Sequence, residues 1–481
     1  MDERMIMYFN KMSELVRILL SQQNIESRDI KDVLSDSDCE YNKSFLKKFS
    51  NLNFNDDLQN GQLSLNMLND NFFSKINYII KERNIISCAV LLFYMDKWIY
   101  SSYKTFENLE YDAECYESLN DNASDTHIAI LPKIYCNWDK KKITDEWEQI
   151  LSYFYFVDYT KLKGMRLKNY RLDSNVVFGI NRDVLKIAIS PLTKEKTVNF
   201  SVPYTRKNHK TGAVQNLFRV ENVSNESELE KLIIEDIINA GKARANILVF
   251  PEMLGTENML NDILTSLRNN STDTIPPLIV FPSIWKKSGN DSDNTNRSCI
   301  IYDGEEVLFE QYKRVCFKYA KEGFDVYEDI SLSEKYNEIH MLHIDGIGRF
   351  CVIICYDYLE NQNRSLIMEN MYPTLVCSPS FSTGSFDFSI LSEKYFNNSC
   401  NWIWCNTCSA SNETKNKHNF DIVGIVTTLN KHNDQKRNDS FKQKFDGVGQ
   451  CTRQDCINCL FYADIPLSNY NIIQEKSDKY E

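Results

Sequence analysis

Phe350-Cys351-Val352-Ile353-Ile354-Cys355-Tyr356-Asp357 is an unbroken apolar run that ends in a thiol, a phenol and a carboxylate. A short run without polar alternation is what a strand covered on both faces requires, and such strands belong to sheets layered with helices. Met341 to Ile344 leads into it through Asp345-Gly346, a dipeptide suited to a tight hairpin, so Phe350 to Cys355 reads as the return strand. Upstream, the same texture recurs at Val184 to Ile189, Ile247 to Phe250, Leu278 to Phe281 and Cys299 to Tyr302, the last turning through Asp303-Gly304 into Val307 to Tyr312. Downstream it recurs at Leu375 to Cys377, Trp402 to Cys405, Ile422 to Val426 and Leu460 to Ile465. Between the first two upstream runs, Ser224 to Ala240 reads as a helix: Leu229, Leu232, Ile233, Ile237 and Ala240 share a face, Ser227 and Glu230 have capping-box spacing, and Gly241 can end it. Strands alternating with amphipathic helices predict one layered α/β domain over residues 181–470, with a tail at 471–481.

Residues 1–180 differ in texture and predict a second, mostly helical region. Phe9, Met12, Val16 and Leu19 fall on one helical face, and Trp147, Ile150, Leu151 and Phe154 do so later. Between them, Ala89 to Tyr94 and His127 to Leu131 read as short buried strands. Tyr94-Met95-Asp96-Lys97 resembles the strand-turn of reverse transcriptases, but Lys97 stands where the second metal-binding Asp belongs, so it reads as a strand end.

A chain of 481 residues exceeds the usual size of one core, and 42% apolar with 25% charged residues is the composition of a folded protein. The net charge of −12 excludes a general phosphate-binding surface, so nucleic acid is not the expected partner. No apolar run reaches the roughly 18 residues that span a bilayer, and Met1-Asp2-Glu3-Arg4 lacks a signal peptide's basic-then-apolar order. The expected address is the cytoplasm, where the 15 cysteines are thiols.

Three phrases carry chemistry: Phe250-Pro251-Glu252-Met253, Tyr312-Lys313-Arg314-Val315 and Ile353-Ile354-Cys355-Tyr356-Asp357. Each sets a reactive residue at or just past the carboxyl end of an apolar strand, the edge where layered α/β folds bind ligands. Cleaving an unactivated amide needs a nucleophile better than water, and a cysteine serves once a base takes its proton. Glu252 is the candidate base, while Lys313 and the backbone N–H of Tyr356 are candidates to stabilise a carbonyl oxygen as it becomes negative.

The order Glu, Lys, Cys, with the Glu after an FPE phrase and the Cys in a C-Y-D phrase, resembles the nitrilase superfamily of carbon–nitrogen hydrolases. The spacing is similar too, 61 residues from Glu252 to Lys313 and 42 from Lys313 to Cys355. Over residues 184–470 the resemblance implies an α/β fold, the αββα sandwich, which commonly pairs into a homodimer or higher homo-oligomer. It implies an amidase or nitrilase type of enzyme that needs no cofactor, forming a thioester acyl-enzyme with a small amide, carbamoyl compound or nitrile. Cys355 would be the nucleophile, Glu252 the general base and Lys313 the oxyanion cation. Tyr356 and Asp357 would lie beside the substrate. A second Glu near the nucleophile, which many members have, would be Glu322 of Ala320-Lys321-Glu322-Gly323. The chain departs from many relatives at Leu359 and Asn361, where they have Arg and Pro, and Arg364 is the residue at hand to compensate. The stretches 193–220 and 409–447 exceed what a compact member needs. The alternative expectation is a silent module kept for assembly or ligand sensing, as in some bacterial defence proteins.

Two weaker signals remain. Cys400, Cys405 and Cys408 share C-x4-C-x2-C spacing with Cys451, Cys456 and Cys459, which suits zinc or an iron–sulfur cluster, but strand alternation would aim Cys405 and Cys408 apart, so the expectation is no metal. Lys415, Lys417, Lys431, Lys436, Arg437, Lys442 and Lys444, with His418 and His432, make 409–447 locally basic, and without interleaved aromatics this reads as a solvated loop.

Overall fold

The computed structural model describes residues 2–21, 67–98, 118–134, 136, 138, 151–172, 184–193, 196–207, 212–269, 275–288, 293–392, 394–395, 400–410, 422–430, 439–446 and 459–467. The chain divides into two compact units, one of Met1–Ile134 with Lys140–Gly164 and one of Tyr135–Asp139 with Met165–Glu481. No helix among the described residues is long and apolar enough to cross a membrane.

In the first unit, helix α1 (Glu3–Leu20) is capped by Asp2, whose carboxylate accepts the Arg4 N–H, and it buries Tyr8, Phe9, Met12, Val16 and Leu19 at helical spacing. Helix α2 (Asp70–Glu82) starts on Asn69 and stops where Arg83 turns left-handed. Helix α3 (Ile85–Trp98) is apolar nearly all round and buried, as a central helix should be. The expected strand Ala89 to Tyr94 is therefore wrong: a continuous apolar run fits a buried helix as well as a strand, and here it extends to helical length. Asp96 of the reverse-transcriptase-like phrase is buried in α3, accepting the N–H groups of Ser152, Tyr153 and Phe154. The short helix α4 (Ala123–Thr126) leads into strand β1 (Ile128–Pro132), close to the strand expected at His127 to Leu131. It pairs antiparallel with β2 (Phe154–Asp158), so Phe154 is a strand residue rather than part of the expected helix. Trp147 and Ile150 of that helix lie outside the described residues.

The second unit starts with β3 (Arg166–Leu172), ahead of the boundary at 181, because RLKNYRL pairs in parallel with a strand far along the chain. Then follow β4 (Val184–Ile189), β5 (Val198–Phe200), β6 (Tyr204–Lys207), β7 (Val214–Phe218), β8 (Val220–Val223), helix α5 (Glu226–Lys242), β9 (Ile247–Val249), helix α6 (Glu257–Asn269), β10 (Leu278–Val280), β11 (Ile284–Lys286), β12 (Thr295–Tyr302) and β13 (Glu306–Tyr312). After them come β14 (Lys318–Lys321), β15 (Phe324–Glu328), β16 (Glu338–Ile344), β17 (Gly348–Val352), helices α7 (Tyr356–Leu359) and α8 (Asn361–Asn370), β18 (Leu375–Pro379), helix α9 (Phe386–Leu391), β19 (Asn401–Cys405), β20 (Ile422–Asn430), β21 (Asp439–Asp446) and β22 (Phe461–Pro466). Helix α5 starts at Asn225, a left-handed residue whose side chain makes no cap bond, so Ser227 is inside the helix and not its cap.

One seven-stranded sheet has the order β11-β12-β10-β9-β4-β22, with β13 paired to β12; the other runs β21-β20-β19-β18-β17-β16-β3. Helices α5 and α6 cover the first, Leu229, Ile233, Met259 and Ile263 packing with Ala188, Leu248, Ile279 and Ile301. Helices α7 and α9 cover the second, the rings of Tyr358 and Phe388 stacking 5.0 and 6.3 Å from Trp402. The sheets meet where Phe309 of β13 stacks 5.0 Å from both Tyr170 of β3 and His340 of β16. This is an α/β fold of αββα layers. Strands β4, β9 and β10 are parallel, as are β17, β18 and β19, so their carboxyl ends gather at one edge of each sheet. Strands β6 and β7, from the residues between β4 and α5, join the β14–β15 hairpin that follows Lys313 in a separate four-stranded sheet, order β14-β15-β7-β6.

Candidate active site

Glu252 sits three residues past β9, in a loop pinned at several points. Its own N–H donates to the Ser380 carbonyl (3.3 Å), and the Met253 N–H donates to Ser283 Oγ (2.8 Å). Gly255 lets this loop lie against the next: a Cβ there would stand 2.3 Å from the Pro282 carbonyl oxygen. Lys313 directly follows β13, its N–H donating to the Asn296 carbonyl at 2.7 Å. Cys355 occupies the turn between β17 and α7 with φ 45° and ψ −108°, a conformation that costs a residue with a Cβ and persists only when its surroundings enforce it. Here the Cys355 N–H is held on the Pro379 carbonyl at 2.9 Å.

Their side chains meet. The Lys313 ammonium donates to Glu252 Oε1 at 2.8 Å and to Glu328 Oε2 at 2.6 Å. Asn296 Nδ2 donates to Glu252 Oε1 (2.9 Å) and Glu328 Oε1 (3.2 Å), and Ser283 Oγ donates to Asn296 Oδ1 (2.8 Å), fixing the amide's orientation. Two backbone donors complete the set: Phe381 N–H to Glu252 Oε2 at 2.9 Å and Phe317 N–H to Glu328 Oε2 at 3.2 Å. The Cys355 thiol lies close enough to the Glu252 carboxylate, the Lys313 ammonium and the Phe381 N–H for each to bear on its ionisation. Glu252, Lys313 and Glu328 are 1–2% exposed and Cys355 is 5% exposed, so water screens little of this.

Burial is the largest influence on Glu252, Lys313 and Cys355. It raises Glu252, reinforced by neighbouring Glu328 and opposed by Lys313. It works against a charged Lys313 too, but Glu252, Glu328 and Cys355 together outweigh it and hold the ammonium well above the usual lysine value. Burial and the Glu252 charge push the Cys355 thiol far above the ordinary cysteine range, with Lys313 opposing. The resting thiol is therefore protonated, beside a carboxylate able to take its proton.

The structure thus brings Glu252, Lys313 and Cys355 together and leaves Glu322 out. Glu322 and Gly323 (φ 51° and 89°) form the exposed two-residue tip of the β14–β15 hairpin, and Glu328, at that hairpin's far end, is the carboxylate that reaches Lys313. Asp357 is likewise not turned to a substrate: its carboxylate accepts the N–H groups of Arg314 and Val315 at 2.8–3.1 Å, clamping the chain after Lys313 to the helix after Cys355. Burial raises it to about 6. Tyr356 is half-buried, its ring 5.6 Å from Phe317, with its N–H beside the thiol in sequence. Arg364 is spent on the carbonyls of Tyr358 and Leu359 and on Asn361. Sequence reasoning missed Glu328, Asn296 and the Phe381 N–H; the one available signal was the polar run Asn294-Thr295-Asn296 entering a strand.

Among the described residues no three of His, Cys, Asp or Glu are grouped as metal ligands. Cys405 Sγ contacts the Ser190 carbonyl at 3.4 Å and Cys400 Sγ the Asn401 carbonyl at 3.3 Å. Cys451, Cys456, Lys415, Lys417, Lys431, Lys436, Arg437, His418 and His432 lie outside the described residues, while Lys442 and Lys444 fall in β21.

No family model matches the chain, and no curated protein sequence matches it. Solved structures do. An amidase from Nesterenkonia sp. covers 62% of this chain and 97% of its own at 14% identity (TM-score 0.36). The C. elegans NitFhit protein covers 62% and 64% at 16% identity (TM-score 0.36). Saccharomyces cerevisiae Nit3, a member of branch 10 of the nitrilase superfamily, covers 62% and 94% at 16% identity (TM-score 0.35). Nit3 and the Nesterenkonia AN1 amidase are nitrilase-superfamily proteins, each matched over 62% of this chain.

Proposed function

We propose that the second unit hydrolyses a carbon–nitrogen bond through a thioester on Cys355. Glu252 takes the thiol proton as sulfur adds to the carbonyl carbon, and the new oxyanion lies against the Lys313 ammonium and the Tyr356 N–H. Glu252 then returns the proton to the departing nitrogen, which leaves as ammonia or amine while the carbonyl re-forms as the thioester. Water attacks that thioester, Glu252 accepting its proton, and collapse releases the carboxylic acid and the thiol. A carboxyl raised by burial is suited to both halves of this exchange, because its affinity for a proton lies nearer neutrality. Glu328 is not consumed: it shares Lys313 and Asn296 with Glu252, so the ammonium stays fixed while Glu252 changes charge.

The observation that carries this reading is the strained Cys355 turn facing a buried Glu252–Lys313–Glu328 cluster. A structural core has no use for a thiol, an ammonium and two carboxylates in one water-poor place, since burying them costs several kcal/mol each unless they are paired. Ammonia release is to be measured across a panel of amides, carbamoyl compounds and nitriles. Turnover that Cys355→Ala abolishes supports hydrolysis; ammonia release equal in Cys355→Ala, or absent across the panel, refutes it.

A further inference from the structure

The residues that hold the catalytic groups are also the ends of a chain of aromatic rings. Tyr356, which follows the thiol, lies 5.6 Å from Phe317; Phe317 lies 6.4 Å from Phe218 and 6.3 Å from Tyr319; Phe218 lies 5.4 Å from Tyr319 and 5.9 Å from Phe200; and Phe200 lies 5.7 Å from Phe381. Three of the six are tied to the reactive centre through their own backbone. Phe381 gives its N–H to Glu252, Phe317 gives its N–H to Glu328, and Tyr356 carries the N–H next to Cys355. The other three come from the long excursion and from the hairpin beyond Lys313: Phe200 on β5, Phe218 on β7 and Tyr319 on β14.

This wall is not sealed into the core. Phe200 is 39% exposed, Tyr356, Phe317, Tyr319 and Phe381 are half-buried, and only Phe218 is buried. Rings that touch one another edge and face, yet keep part of their surface open beside a nucleophile, offer a flat apolar group both burial and edge-to-face contacts. The guanidiniums nearby are already paired, Arg219, 5.3 Å over the neighbouring Tyr204 ring, with Glu221 and Arg206 of the adjoining β6 with Asp329, so they add no net charge to the layer.

We propose that this wall is the acyl-group subsite and that it takes an amide with an aryl or arylalkyl acyl group in preference to one with a small aliphatic acyl group. The proposal rests on the hydrolase reading above, and binding is therefore measured apart from turnover. Affinities of phenylacetamide, acetamide and cationic glycinamide are compared by calorimetry in full-length Cys355→Ala protein, alone and with Phe200→Ala or Phe200→Trp added. Phe200 is chosen because its partial exposure makes truncation cheap for folding. Phenylacetamide should bind at least about tenfold tighter than acetamide, the scale of a ring gaining burial and aromatic contacts. Phe200→Ala should lose most of that preference and Phe200→Trp should keep it. Equal affinities, preference for glycinamide, no binding of phenylacetamide, or a preference indifferent to Phe200→Ala would each overturn the subsite. If wild-type protein releases ammonia from no member of the panel while the binding preference holds, the aryl site stands and the hydrolase reading falls; if it hydrolyses acetamide and phenylacetamide with equal kcat/KM, the reverse holds.

Discussion

Lys313 neutralises two buried carboxylates at once, and that double pairing sets what its removal would do. Lys313→Ala leaves Glu252 and Glu328 buried beside each other, each making ionisation of the other harder, and should cost about 3–5 kcal/mol at neutral pH as well as activity. The sign with pH follows. Glu252 is already raised in the folded protein and rises further without the ammonium, so the variant's folded state holds protons more tightly than its unfolded chain. Its stability deficit should be least in acid and grow as pH rises through the raised folded value; a deficit independent of pH in denaturant titrations would contradict this. Asp357 makes a different prediction, because its carboxylate holds the backbone after Lys313 and touches no other part of the cluster. Asp357→Ala should cost about 1–3 kcal/mol for the stranded N–H donors, and roughly 10²-fold in kcat through misplacement of Lys313, with KM changing less. A raised KM with unchanged kcat would instead give Asp357 a place in substrate binding.

At the scale of elements, the site hangs on loops that leave strand ends at fixed heights. Gly255 is the tightest of these points. Gly255→Ala drives a Cβ into the Pro282 carbonyl, and since neither that Cβ nor the backbone carbonyl can rotate away the Glu252 loop must lift; the expected cost is about 1–3 kcal/mol with a parallel loss of ammonia release. An unchanged melting temperature would show that the loop yields freely. The same strand ends explain what was legible in the sequence. Glu252 and Cys355 each close an apolar run and Lys313 directly follows the strand that leaves the Asp303-Gly304 turn, so both strand and reactive residue announced themselves. Glu328 did not, because it ends a short inner strand of the small sheet whose burial alternates over a few residues, and Glu322 in the hairpin tip looked as suitable. Strand β3 was missed because its charges mask the alternation, and the buried helix α3 was misread because an apolar run shows no period when every face is covered.

Across the whole second unit, neutral histidines are built into the sheet that carries Cys355. Burial lowers His343 to about 3, helped by Arg349 and Arg171, and lowers His340 to about 4. His343 is bonded to Asn169 of the edge strand β3 at 3.0 Å. A folded value below that of the unfolded chain means stability is full above roughly pH 6.5 and is lost as pH falls toward the folded values, by up to about 1.4 kcal/mol per pH unit for each group. Asp236 and Asp357, both raised to about 6 mainly by burial, act in the opposite sense over part of that range. Comparison with His343→Gln isolates the histidine: its denaturant midpoint should fall less steeply between pH 6.5 and 4 than that of the wild type, and parallel curves would contradict the assignment.

One thiol decides whether this assembly is a catalyst. Chloroacetamide offers Cys355 an amide-shaped electrophile, and the rate at which each cysteine is alkylated is read by peptide mass spectrometry in wild type and Glu252→Gln. Cys355 should be modified at least about tenfold faster than the other buried cysteines despite its own burial, and Glu252→Gln should remove that advantage. Modification of Cys355 no faster than its buried neighbours, or unaffected by Glu252→Gln, would contradict the claim that the carboxylate activates the sulfur.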